Sequence, residues 1–145
     1  MRISAHLSNT ATTHEVALRT AGKSQTLTVP PKPAGGGSAV NGGEFLMLAL
    51  ATCYCNDLHR EAAVRGLVLE AVEVEASAEF AGPGLAATDI RYRARIESPA
   101  SPEQIEALLR ETDAVAEVHN TVRAGLPVRR EPWTADAAGG KSSGN

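Results

Sequence analysis

Two stretches of the chain alternate strictly between apolar and polar positions. Val72, Val74, Ala76, Ala78 and Phe80 alternate with Glu73, Glu75, Ser77 and Glu79, and Ile90, Tyr92, Ala94 and Ile96 alternate with Arg91, Arg93, Arg95 and Glu97. A period of two is that of a strand with one face buried. Gly82-Pro83-Gly84 lies between them, which predicts a hairpin whose outer face sets an acidic row against a basic one. A solvated ion-pair ladder therefore accounts for these arginines without an anion site. Residues 2–7, 14–18 and 24–29 read as shorter extended segments, the last two joined by a turn at Ala21-Gly22. Residues 127–130 read as a final edge strand, a position that the leading Pro127 tolerates.

Between these strands the period changes. Residues 44–65 are rich in Leu, Ala and Met, free of Pro and Gly, and followed by Gly66, which predicts a long helix. Its first half, residues 45–51, is apolar on every face and must be covered on all sides. Its second half, Asn56-Asp57-Leu58-His59-Arg60-Glu61, is polar and is expected to emerge toward solvent or a partner. Ser101-Pro102-Glu103-Gln104 has the form of a capping box, with Ile105, Leu108 and Leu109 as the buried stripe that follows. Residues 115–123 predict a short helix ended by Gly125, and residues 30–43, rich in Pro and Gly, predict a connecting loop. Residues 134–145 carry no periodic pattern and are expected to form a disordered tail, leaving residues 1–133 as one domain of mixed α/β (α+β) class.

Composition narrows the function. The chain has 145 residues and a net charge of −3 from 17 acidic and 14 basic side chains, with 3% aromatics. Nucleic-acid binding calls for a basic excess and stacking platforms, and neither is present. The longest apolar run, residues 45–51, falls far short of the ~20 residues needed to span a bilayer. There is no charged-then-apolar leader, so a soluble, cytoplasmic protein is expected.

The candidate chemistry is sulfur. Cys53 and Cys55 are the two cysteines, and on a helix residues two apart are turned by about 200°, so the thiols face nearly opposite ways. This disfavours a disulfide between them and chelation of one metal by both. One reading makes them small core hydrophobes; the other makes one a thiolate nucleophile, which needs a neighbouring cation or donor. His59 lies one turn after Cys55, while Asn56 and Asp57 lie one turn after Cys53, where Asn could donate but Asp would raise the thiol pKa. His119-Asn120 could bring a base and a donor from elsewhere in the fold. Cys55 and His59 with His14 or His119 could supply three zinc ligands, but no spacing resembles a known site, and no metal or cofactor is assigned.

Asn41-Gly42-Gly43-Glu44-Phe45-Leu46, Leu48-Ala49-Leu50-Ala51-Thr52-Cys53, the Val-rich acidic strand after Gly66, and Val118-His119-Asn120-Thr121-Val122 occur in that order. Together they resemble the OsmC/Ohr family of thiol-dependent hydroperoxide reductases over about residues 1–130. The resemblance implies antiparallel sheets wrapped around a long central helix in an intertwined homodimer, with the sites at the subunit interface. It implies a peroxide-attacking cysteine at Cys53, oxidised to sulfenic acid. The family's second, resolving cysteine would precede the Val-His-Asn-Thr stretch, where this chain has Ala116-Glu117.

The carboxylate that orients the family's activating arginine falls at Gly43, with Glu44 one step away, and the arginine itself falls near His14. Arg19 is the nearest N-terminal arginine. The resemblance thus points to one-cysteine reduction of organic hydroperoxides at Cys53 with an external thiol, using His14 or His119 in place of the arginine. Glu44, Cys55, Asn120 and Arg19 are the supporting candidates. The alternatives are a non-catalytic small-molecule binding protein and a metal enzyme built on Cys55 and His59.

Overall fold

The computed structural model of the chain describes residues 1–133; the tail expected over residues 134–145 lies outside them. Three strands come first: β1 (Ile3–Asn9), β2 (His14–Thr20) and β3 (Lys23–Thr26), antiparallel in the order β1-β2-β3. The β2–β3 turn at Ala21-Gly22 has both residues at positive φ, 48° and 83°, the geometry of a two-residue hairpin whose twist matches its strands. Glycine adopts it freely, and Ala21 is held there.

The long helix α1 spans Gly42–Val64. It begins two residues before the predicted start because Asn41 caps it: the Glu44 N–H donates to the Asn41 side chain at 2.9 Å and the Asn41 N–H to Glu44 Oε2 at 2.7 Å. The hairpin of β4 (Ala71–Glu79) and β5 (Thr88–Glu97) follows, with Glu73 opposite Arg95 and Glu75 opposite Arg93, both ion-paired as the alternation predicts. α2 (Pro102–Val115) carries the Ser101–Gln104 capping box, and α3 (Glu117–Ala124) ends at Gly125 in the left-handed region. Ala116 is extended and separates α2 from α3, so Val115 closes one helix instead of opening the next.

The core forms where the second half of α1 meets the inner face of β4–β5 and α2. Tyr54, Leu58, Ala62, Leu108 and Ala116 are its buried members, packed against Leu67, Val72, Val74, Tyr92, Ala94 and Ile96. This corrects the sequence expectation for α1. The polar-looking second half is the better buried one, because positions 54, 58 and 62 form a stripe at every fourth residue while Asn56, His59 and Arg60 take the open face. The all-round apolar first half keeps Leu48 exposed and has Leu50 as its buried residue.

Two strand expectations also change. Residues 127–130 pair with neither sheet, and an extended segment without a partner edge has no ladder to hold it; Val128 is fully exposed. The third strand stops at Thr26, and Val29 leaves the ladder to become buried just before Pro30 and Pro31, which lack N–H donors. No residue of β1, β2 or β3 is buried. α1 packs mainly on β4, α2 and α3, so the N-terminal sheet adds nothing to this core.

Candidate functional site

Residues 53, 57 and 60 of α1 are spaced i, i+4 and i+7, which puts them on one stripe of the helix. The break at Ala116 starts α3 directly over that stripe. The Cys53 thiol lies 3.3 Å from Asp57 Oδ2, to which it donates, and 4.0 Å from Glu117 Oε2. The backbone N–H of Val118, in the first turn of α3, favours the thiolate form of the same sulfur. The other oxygen of each carboxylate faces Arg60, whose Nη1 is 2.6 Å from Asp57 Oδ1 and 3.6 Å from Glu117 Oε1. Its Nε donates to Glu61 Oε1 at 3.1 Å. The Asp57 side chain is 5% exposed and that of Glu117 is 71% exposed, so one carboxylate is enclosed and the other is open to solvent.

The electrostatics follow from this crowding. Burial, above all, pushes the Cys53 thiol above its ordinary range; the Val118 N–H opposes it, while the hydrogen bond and charge of Asp57 and the charge of Glu117 add to the rise. A thiol between two carboxylates keeps its proton more tightly than a free one. The positive charge of the site is Arg60, one carboxylate removed from sulfur. Among the described residues Cys53, Asp57 and Glu117 bring donor atoms within 4.8 Å of one another, the spacing at which a cation could be shared. Here the Arg60 guanidinium meets the two carboxylates.

The residues singled out from sequence fall in several places. His119 is buried, edge-on to the Tyr92 ring at 4.4 Å and 5.6 Å from that of Tyr54, and neither of its ring nitrogens has a hydrogen-bond partner. Asn120 fastens α2 to α3, donating to the Ala114 carbonyl at 3.1 Å and accepting from Arg123 at 3.2 Å. His14 opens β2 in the N-terminal sheet, its Nδ1 3.2 Å from the Asn9 amide nitrogen. Arg19 is exposed on β2. Glu44 is occupied in the α1 capping box. Cys55 is a free, half-buried thiol, and His59 is exposed. The structure therefore gathers Cys53 and Asp57 with Arg60 and Glu117, two residues to which the sequence assigned no role. The 53/57/60 spacing carried the signal for Arg60; for Glu117, 64 residues from Cys53, the signal was its place at Ala116-Glu117, where the resemblance puts the family's resolving cysteine.

A sequence model of the OsmC-like protein family matches residues 35–131, a span that contains the whole site. The chain belongs to the OsmC-like family. Its fold is shared by solved structures of low identity. An OsmC-like protein from Mycoplasma pneumoniae superposes with a TM-score of 0.60 at 20% identity, over 84% of this chain and 86% of that one. An organic hydroperoxide resistance protein OsmC from Legionella pneumophila gives 0.54 at 23% identity, over 84% and 88%. An organic hydroperoxide resistance protein from Elizabethkingia anophelis gives 0.57 at 16% identity, over 85% and 89%. No curated protein sequence matches the chain. Among the described residues of this OsmC-like chain, no helix is long and apolar enough to cross a membrane.

Proposed function

We propose that this OsmC-like protein reduces organic hydroperoxides at Cys53, with an external thiol as reductant. The observation that carries the reading is the Cys53–Asp57 hydrogen bond beside the Val118 N–H, which gives the sulfur both an acceptor for its proton and a donor for its thiolate. Two of the similar structures bear the name organic hydroperoxide resistance protein.

In the oxidative step the Cys53 sulfur attacks the outer peroxide oxygen and the O–O bond breaks. The thiol proton passes to Asp57 and on to the departing alkoxide, so that thiol and hydroperoxide become sulfenic acid and alcohol. Cys55 lies on another face of α1, so two equivalents of an external thiol return the sulfenic acid to the thiol, releasing water and a disulfide. Such chemistry suits the cytoplasm, where free thiols persist.

We also read the working unit as a homodimer. Support comes from the N-terminal sheet, which has no buried residue, and from exposed Ile3, Leu7 and Leu48, which a second chain would cover.

The test is consumption of cumene hydroperoxide in the presence of dithiothreitol. Cys53→Ser should abolish it, and equal turnover by that variant removes the proposal. The raised thiol pKa favours a second reading, a binding protein without catalysis. In that case Cys53 stays unoxidised under peroxide while an apolar ligand raises the melting temperature.

A further inference from the structure

Two carboxylates touch the surroundings of one sulfur, and their exposure differs sharply. Asp57 is enclosed beneath Arg60 and within reach of the thiol proton, whereas the Glu117 side chain is 71% exposed at the start of α3. Arg60 engages Glu117 through Oε1, which leaves Oε2, the oxygen 4.0 Å from Sγ, facing the sulfur. That separation is long for a thiol hydrogen bond. An oxygen added to Sγ on that side would come within hydrogen-bond reach of the carboxylate. Cys53 makes no sulfur contact with a second cysteine among the described residues, so the reducing thiol must arrive from solvent, past the open carboxylate.

We propose that Glu117 is the catalytic proton carrier of the reductive half-reaction, an inference that rests on the peroxide reading of Cys53. As a carboxylate it takes the proton of the incoming small-molecule thiol, whose sulfur attacks the sulfenic sulfur. It then gives that proton to the departing hydroxyl, so that sulfenic acid and thiol become a mixed disulfide and water. A second thiol attacks the mixed disulfide at the small-molecule sulfur. The Cys53 thiolate leaves toward the Val118 N–H and is reprotonated from Asp57, which has received the second thiol's proton. The open carboxylate thus moves the proton when the sulfenic acid is reduced, and the enclosed one moves it in the oxidation and in the closing thiol exchange.

Single-turnover kinetics separate the two halves. Wild type, Glu117→Gln and Glu117→Asp are each oxidised with one equivalent of cumene hydroperoxide, then mixed with dithiothreitol, with Cys53 read by mass spectrometry after a sulfenic-acid trap. In Glu117→Gln the reduction of the sulfenic acid should slow at least about ten-fold. Its oxidation should quicken, because a negative charge near the thiol is gone. Glu117→Asp keeps the carboxylate and should recover part of the reductive rate. A Glu117→Gln reductive rate within two-fold of wild type, or a Glu117→Asp rate no better than that of Gln, overturns this inference alone. Failure of wild-type Cys53 to form sulfenic acid overturns the peroxide reading, and this inference with it.

Discussion

Cys53 and Asp57 stand one turn apart on α1 with the thiol donating to Oδ2 at 3.3 Å, so the sulfur faces the group that both raises its pKa and can receive its proton. The two effects pull a substitution in opposite directions. Asp57→Asn should lower the Cys53 pKa and speed alkylation by iodoacetamide at pH 7.5 several-fold, because the carboxylate charge and hydrogen bond are lost. Peroxide reduction should fall, because the proton relay to the departing alkoxide is lost as well. Parallel changes in both rates would show that Asp57 acts on the thiol in one way only.

Arg60 acts on Cys53 through the carboxylates. It holds Asp57 Oδ1 at 2.6 Å and Glu117 Oε1 at 3.6 Å, and its own charge is reinforced by the hydrogen bond to Glu61. Arg60→Gln leaves both carboxylates uncompensated beside the thiol. The midpoint of the alkylation pH profile should then move upward from the wild-type value, with Arg60→Lys in between because Lys keeps the charge without the fork. An unchanged midpoint in Arg60→Gln would detach Arg60 from the site.

His119 makes stability depend on pH. Burial, then the Arg123 charge, hold its pKa below 6.5, while Asp113 and Asp57 oppose the shift. Because the unfolded chain binds the proton more readily, this contribution is complete above pH 6.5 and is lost as pH falls below it toward the folded-state value. The melting temperature should drop between pH 7.5 and 5.5, and His119→Phe, which fills the same aromatic niche beside Tyr54 and Tyr92, should flatten that drop. An equally steep decline in His119→Phe would assign the pH dependence to other groups.

Local signals were legible where the physics is local. The alternation over β4 and β5 registers the sheet directly, since period two needs no knowledge of the partner, and the Ser101–Gln104 box closes within one turn. Burial along α1 was not legible, because Leu58 sits in a polar run and owes its zero exposure to α2 and β4 packing from elsewhere in the chain. The candidate site divides in the same way. Cys53, Asp57 and Arg60 share one helical stripe, whereas Glu117 reaches the sulfur only because the chain breaks at Ala116 and returns over α1. The edge strand expected at residues 127–130 failed for the complementary reason: its local pattern was adequate, and no partner edge meets it.

The uncovered N-terminal half of the molecule gives the last prediction. Ile3 is 67% exposed, Leu7 53% and Leu48 55%, and the sheet β1-β2-β3 buries none of its residues, an arrangement that loses apolar burial a second chain would supply. Sedimentation equilibrium should therefore give twice the 15.1 kDa of the chain. Leu48→Lys places a charge on the apolar half of α1 and should shift the population toward monomer. Amide protons of β1, β2 and β3 should then exchange faster, while those of β4, β5 and α2, which share the core around Leu58 and Leu108, should keep their protection. A wild-type chain that sediments at 15.1 kDa with protected N-terminal amides would mean the sheet is stable alone, and the intertwined assembly would have to be abandoned.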